Sequence, residues 1–254
     1  MTQSIQTEWS GRHQGKDELR TEIWNRLLDE QAAIGQPVGH IPAFVGGDKA
    51  AARLAELPFW QAARVIKCNP DTAQIPVRLR ALQDGKTVYM AVPRLAQEHC
   101  FVELRADELR RRHIPLEDAA SHQGAMQHGR LIPFDEMAPI DVVVTGCVAV
   151  SADGGRTGKG AGFADLELGM LRQLGLVQPN TPIVTTVHSS QLVDAARLPM
   201  LSHDWSLTHI VTPDEVIETH MLRAQPSGLE WDKIQTEQIA SIPILQKLDR
   251  QRSL

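Results

Sequence analysis

The sequence is short of cysteine, aromatic residues and net charge, and it has no long apolar run. Three cysteines, Cys68, Cys100 and Cys147, stand in 254 residues. Odd in number and far apart, they make neither a disulfide framework nor a C-x-x-C pair. They read as reduced thiols of an interior. Aromatic residues make up 4% of the chain, which leaves few platforms for base stacking. Lys and Arg number 26 against 31 Asp and Glu, a net charge of -5. Binding along a phosphate backbone needs a cationic excess instead, so no nucleic acid partner is expected. The longest apolar stretch, residues 142–150, is broken by Thr145 and Gly146 and is too short to span a bilayer. No membrane partner is expected either. The first fifteen residues carry Glu8, Arg12 and His13 without a continuous apolar core. That is not a signal-peptide pattern, and the expected location is cytoplasmic. A G-x-S-x-G elbow is absent, which removes the serine-hydrolase reading. The ten histidines include no i, i+4 pair with a carboxylate between, so they read as solvated or hydrogen-bonded side chains and not as a metal centre.

What is present is a globular composition, 42% hydrophobic and 22% charged, on a chain long enough to bury a sizeable core without staples. Residues 1–15 read as a polar arm and residues 16–254 as a single α/β domain. In residues 16–30, Leu19, Ile23 and Leu27 recur every four positions, the stripe of an amphipathic helix. Asp48 is placed to cap a second helix that Pro58 stops. Strand and helix patterns then alternate. Strands are expected at 63–68, 86–92, 140–150, 181–188 and 207–213, and helices at 73–83 and 164–174. Residues 98–130 read as irregular with a short helix near 106–112, and residues 214–254 carry no sharp pattern. Repeated alternation of this kind argues for a parallel-rich sheet covered by helices on both faces. Nothing in the chain sets an oligomeric state.

The segment with chemistry is DGGRTGKGAGFAD, residues 153–165. It lies between the most apolar strand and a good helix. Gly154, Gly155, Gly158, Gly160 and Gly162 let the backbone curl so that successive N–H groups face an anion, and the following helix adds its positive end. Arg156 and Lys159 bring formal charge to the same loop. The pattern is neither a Walker A loop nor G-x-G-x-x-G: Asp153 stands at the first Walker glycine, Gly160 at its Ser/Thr, and Phe163 at the last Rossmann glycine. The alternative is a glycine-rich connection without a ligand. Asp165, in the first helical turn, is either a carboxylate that stabilises the dipole or a Mg²⁺ ligand beside bound phosphates. His188-Ser189-Ser190 ends a strand, with Ser189 or Ser190 expected to cap the next helix. His203-Asp204 reads as a turn or as a base with its orienter. Arg110-Arg111-Arg112 reads as a solvated face.

These residues resemble the 5-formyltetrahydrofolate cyclo-ligase family. Lys16, Leu19 and Arg20 match its early K-x-x-L-R helix, and Asn69-Pro70-Asp71 is similar to its strand ending in P-x-x-D. Arg156, Gly158, Gly160, Gly162, Phe163 and Asp165 match its R-x-G-x-G-G-G-Y-Y-D loop. Gln191, Val193, Leu198-Pro199, His203-Asp204 and Val211-Thr212 match its last segment. The resemblance covers about residues 16–215. It implies a three-layer α/β/α sandwich like that of sugar-phosphate isomerases and CoA transferases, with ATP and Mg²⁺ as cofactors. The reaction implied is phosphorylation of the formyl oxygen of 5-formyltetrahydrofolate, then ring closure to 5,10-methenyltetrahydrofolate. By the same resemblance, Lys16 and Arg20 would touch ATP phosphates. Gly155, Arg156, Gly158, Lys159, Gly160, Gly162 and Phe163 would form the cradle, and Asp165 would hold Mg²⁺.

The chain departs from the family at three places. Ala161 replaces a loop glycine, Ala164 replaces the second tyrosine, and no W-G-I-x-E-P segment supplies a folate-contacting glutamate. Glu103 in FVEL is the nearest candidate. With these departures the chain resembles a divergent cyclo-ligase-like group of the family, and that resemblance implies a folate-like or thiamine-related small molecule as substrate. The alternatives to a cyclo-ligase are a divergent nucleotide- or phosphate-binding homologue and a module that binds a metabolite without catalysis.

Overall fold

A computed structural model describes residues 13–220 and 223–252. Most of the proposed arm, residues 1–12, lies outside the described residues. The first helix, α1 (Gln14–Asp29), starts two residues before the sequence pattern placed it. Its stripe of Leu19, Ile23 and Leu27 is buried as the periodicity predicts.

The main sheet has eight strands: β1 (Val65–Cys68), β2 (Thr87–Ala91), β3 (Phe101–Arg105), β4 (Arg130–Ile132), β5 (Val142–Val144), β6 (Ile183–Thr186), β7 (His209–Val211) and β8 (Val216–Glu218). They lie in the order β8-β7-β6-β5-β1-β2-β3-β4. The five central strands, β7 to β2 in that order, are parallel. Antiparallel strands close both edges. Helices α2 (Gly47–Ala55) and α3 (Ile75–Gln83) cover one face, and α4 (Phe163–Gln173) and α5 (Pro243–Arg252) cover the other. The chain is therefore an α/β protein with three layers.

Alternation along each strand divides the core between the faces. Ile66, Cys68, Val88, Met90, Val142 and Val144 pack towards α2 and α3. Tyr89, Ala91, Val143, Ile183 and Ile210 pack towards α4 and α5. Helix α1 stands apart, with Leu19, Ile23 and Leu27 packed on Val148, Ala149 and Leu198 around a small sheet. That sheet joins Ala149–Ser151 to Arg156–Thr157 and Leu192–Val193.

Several sequence expectations are corrected. Residues 140–150 are two strands, not one: β5 belongs to the main sheet and Ala149–Ser151 to the small one. Thr145 and Gly146, the polar break in the apolar run, are where the chain leaves the main sheet. Gly46, at φ +84°, and not Asp48, occupies the N-cap of α2. Pro58 opens a short helix, Pro58–Ala62, as well as ending the previous one. Residues 98–130 hold β3 and three short helices, Ala106–Arg111, Leu116–Ala120 and His122–His128. The tail contributes β8, a helix at Thr236–Ser241 and α5, whose Ile244, Leu245 and Leu248 enter the core. Arg110, Arg111 and Arg112 are exposed, as a solvated face should be.

All three cysteines are free and buried. Burial pushes the thiols of Cys68 and Cys100 up to about 12 and raises that of Cys147. Since the thiolate is the reactive form, a chromogenic thiol reagent is expected to find no fast-reacting cysteine in the native protein and three after denaturation. A native thiol reacting at the rate of free cysteine would contradict this packing.

Candidate functional site

A cavity of about 770 Å³ opens at the carboxyl ends of β1, β2 and β5. In open α/β sheets, ligands bind where parallel strands end, and this volume suits a nucleotide or cofactor-sized ligand. Its walls come from the start of α1, the turns after the three strands, the glycine loop with the first turn of α4, and residues 228–238 of the tail.

The glycine loop has two halves with different roles. Residues 153–157 form a tight hairpin. The Gly154 amide donates to the Ser151 carbonyl at 2.9 Å, and the Gly155 amide to Asp153 Oδ1 at 3.3 Å. A Cβ on Gly155 would lie 2.4 Å from Ser151 Oγ, so the turn needs glycine for space. Gly155 is not among the residues that line the cavity. It lies instead in the hairpin that supports the lining residues. The second half differs. The amides of Gly158, Lys159, Gly160, Ala161, Gly162 and Ala164 donate to no described residue. Gly162, at φ +70°, is the N-cap of α4 and turns these amides into the helix start. Phe163, half-buried, forms the adjoining wall.

Every cation that the sequence placed at this loop has a partner within the protein. Lys16 pairs with Asp204 in a buried contact. Arg20 donates from Nε to the Gly158 carbonyl at 2.6 Å and from Nη2 to Thr157 Oγ1 at 2.8 Å, so its fork braces the loop from behind. Arg156 is buried. It donates from Nε to the Trp205 carbonyl at 2.9 Å and pairs through Nη2 with Asp165. Arg20 and Arg156 therefore hold the loop's shape, and both also line the cavity where the resemblance places the phosphates. Lys159 pairs with Asp71 at 2.7 Å, and its side chain is 40% exposed. It is the cation of the loop most open to solvent.

Asp165 Oδ1 accepts from Arg156 Nη2 and from the Trp205 amide at 3.1 Å, while Oδ2 accepts from no described residue. A hard carboxylate oxygen beside open amides fits Mg²⁺ shared with phosphates. No group of three or more His, Cys, Asp or Glu among the described residues would hold a metal without such help.

The sequence reading missed the floor of the cavity. Lys67, wholly buried on β1, pairs with Glu167 of α4, and Asn69 joins both, at 3.3 Å to Lys67 Nζ and 3.4 Å to Glu167 Oε2. Burial pushes the Glu167 carboxyl up, and the Lys67 ammonium draws it part of the way back. Arg78, also wholly buried, donates to the carbonyls of Asn69, Asp71 and Ala120 and so clamps the 69–71 turn from the opposite face. Burial lowers its guanidinium to about 10. One signal was legible: Lys67 stands in the apolar strand VIKC.

The remaining candidates take other roles. Glu103 lies on β3, outside the cavity lining, and pairs with Arg130 at 3.1 Å. Asp204 Oδ2 accepts from the Leu201 amide at 2.6 Å, a turn role, and His203 Nε2 stays 4.0 Å from Asp204. His188 Nδ1, not a serine, caps the 189–191 turn.

Residues 12–213 match the model of the 5-formyltetrahydrofolate cyclo-ligase family. The chain is 37% identical over 238 residues to a methenyltetrahydrofolate synthase domain-containing protein of Bos taurus, covering 93% of this chain and 62% of that protein. The relative of the same description in Mus musculus is 37% identical over 235 residues, covering 92% and 63%. The chain thus spans about three fifths of the length of these curated relatives. Its fold is similar to the NMR structure of Aquifex aeolicus 5,10-methenyltetrahydrofolate synthetase, with a TM-score of 0.51 at 17% identity over 86% of this chain and 99% of that one. No helix among the described residues is long and apolar enough to cross a membrane.

Proposed function

The chain belongs to the 5-formyltetrahydrofolate cyclo-ligase family, and on that premise we propose that it is an ATP- and Mg²⁺-dependent cyclo-ligase acting on 5-formyltetrahydrofolate or a closely related substrate. The observation that carries this reading is the set of unspent amides on Gly158, Lys159, Gly160, Ala161, Gly162 and Ala164 at the start of α4. Amides and a helix N-terminus so arranged suit the phosphates of a nucleotide.

In this reading those amides bind the phosphate tail. Lys159 exchanges Asp71 for a phosphate oxygen, and Arg20 and Arg156 keep the loop in shape. Asp165 would hold Mg²⁺, which when bound neutralises charge on the phosphates. Phosphoryl transfer to the formyl oxygen then asks little of the protein beyond position and charge. Ring closure forms the N–C bond, breaks the C–O bond to phosphate and releases the proton of the attacking nitrogen. Phe163 stands at the first aromatic position of the family loop and lines the cavity.

Two measurements test the reading. Adding 5-formyltetrahydrofolate and MgATP should produce the absorbance of the methenyl product, and an ATP-independent or absent signal would remove the cyclo-ligase reading. Lys159→Ala should weaken MgATP binding by about 1–3 kcal/mol in a calorimetric titration, the size of a charge-assisted contact. Its stability should stay within about 0.5 kcal/mol, because the Lys159–Asp71 pair is exposed. Unchanged MgATP affinity would contradict the loop assignment.

A further inference from the structure

A buried ion pair, Lys67 with Glu167, lies under the cavity and is not used by the proposed phosphate cradle. Lys67 sits on the α4 face of the sheet, in register with Tyr89 and Val143, where its neighbours are apolar. Isolating an ammonium and a carboxylate from water is expensive, and apolar residues of the same volume often serve the fold as well. Folding alone therefore does not explain the pair. Glu167 spends Oε2 on Lys67 and Asn69, while Oε1 accepts from no described residue. Glu167 also lines the cavity, together with Asn69. The result is a fixed carboxylate at the floor with one oxygen left for a ligand.

The geometry points to Glu167 as a specificity-determining contact that accepts N–H from the aminopyrimidine edge of the bound ring, with Lys67 and Asn69 as the residues that position it. A carboxylate is an acceptor only, so it selects ring N–H and amino groups and penalises carbonyl edges. The inference rests on the proposed ring-bearing substrate and names its recognised edge. Reduced folates, thiamine and the adenine of ATP all carry such an edge.

The test is calorimetric titration of the wild-type chain, Glu167→Leu and Lys67→Met/Glu167→Leu with four probes: 5-formyltetrahydrofolate, thiamine, adenosine and tripolyphosphate. The double variant removes both charges, so it keeps the test valid where the single variant leaves a buried ammonium unpaired. The expected result is at least about tenfold weaker binding of one ring in the double variant, with tripolyphosphate held as before. The ring affected identifies the source of the edge. Equal weakening of tripolyphosphate would mean that Glu167 only supports α4, and unchanged ring affinity would mean that it touches no ligand. Either overturns the inference, as does failure of the wild-type chain to bind any of the three rings. Turnover of 5-formyltetrahydrofolate by the double variant with wild-type KM values for both 5-formyltetrahydrofolate and ATP would remove this inference and leave the proposed function standing. A Glu167-dependent thiamine or adenosine complex without folate binding would do the reverse.

Discussion

Arg156→Leu is expected to destabilise the protein by about 3 kcal/mol and to abolish measurable nucleotide binding. The guanidinium is buried, with its Nε on the Trp205 carbonyl and its Nη2 on Asp165. Burial pulls its pKa down, but Asp165 and neighbouring acids more than offset this, so the group stays charged. Removing it strands a carboxylate and a carbonyl together, and breaking a buried pair from one side is among the most costly single changes. For a domain of this size that corresponds to a fall in Tm of roughly 6–12 °C. Binding should fail because Asp165 and the Trp205 segment lose the strut that sets them beside the loop. Arg156→Lys keeps the charge but not the fork, so it should recover only part of both. A variant with wild-type Tm and weaker MgATP binding would instead place Arg156 directly on the phosphates.

Lys67→Met should be about as damaging, at about 3–5 kcal/mol, because it leaves Glu167 buried without its charge partner. The double change separates fold from function. Lys67→Met/Glu167→Met should recover most of that stability, to within about 1–2 kcal/mol of the wild type, since the two thioethers fill similar volume without charge. Thermal unfolding of the two variants decides the matter. A double variant as unstable as the single one would mean that the pair is a structural requirement of the sheet.

Much of this architecture could be read in the sequence because burial imposes period. Strands β1, β2, β6 and β7 and helices α1, α3 and α4 follow apolar patterns, and only their ends moved by a few residues, whereas the apolar run 140–150 split into β5 and a strand of the small sheet. The regions that escaped have a physical reason. Strand β3 lies antiparallel between β2 and the edge strand β4 and carries polar Glu103 and Arg105, so it lacks the near-continuous apolar run of the central strands. The helices of 106–128 are each shorter than eight residues, too short for a 3.6-residue period to show. Helix α5 has only Ile244, Leu245 and Leu248 as its buried face.

The site was legible in the same uneven way. Glycine density pointed to the loop, but not to which amides are spent within the protein. That depends on the Ser151 hairpin and its contact with Asp153. Charge pointed to Arg156 and Lys159, and the family resemblance to Lys16 and Arg20, but their partners Asp165, Asp71, Asp204 and Asp17 lie up to 188 residues away in the chain. The floor pair joins residues 100 apart and had no local pattern except one lysine among apolar neighbours.

The central claim is that phosphates lie on the amides of the second half of the glycine loop. Amide chemical shifts of the ¹⁵N-labelled chain during titration with MgATP test it most directly. The account predicts large, saturable shifts at Gly158, Gly160, Gly162 and Ala164, with Gly154 and Gly155 nearly still. Shifts centred on Gly154 and Gly155, or a loop that does not respond at saturating MgATP, would contradict it.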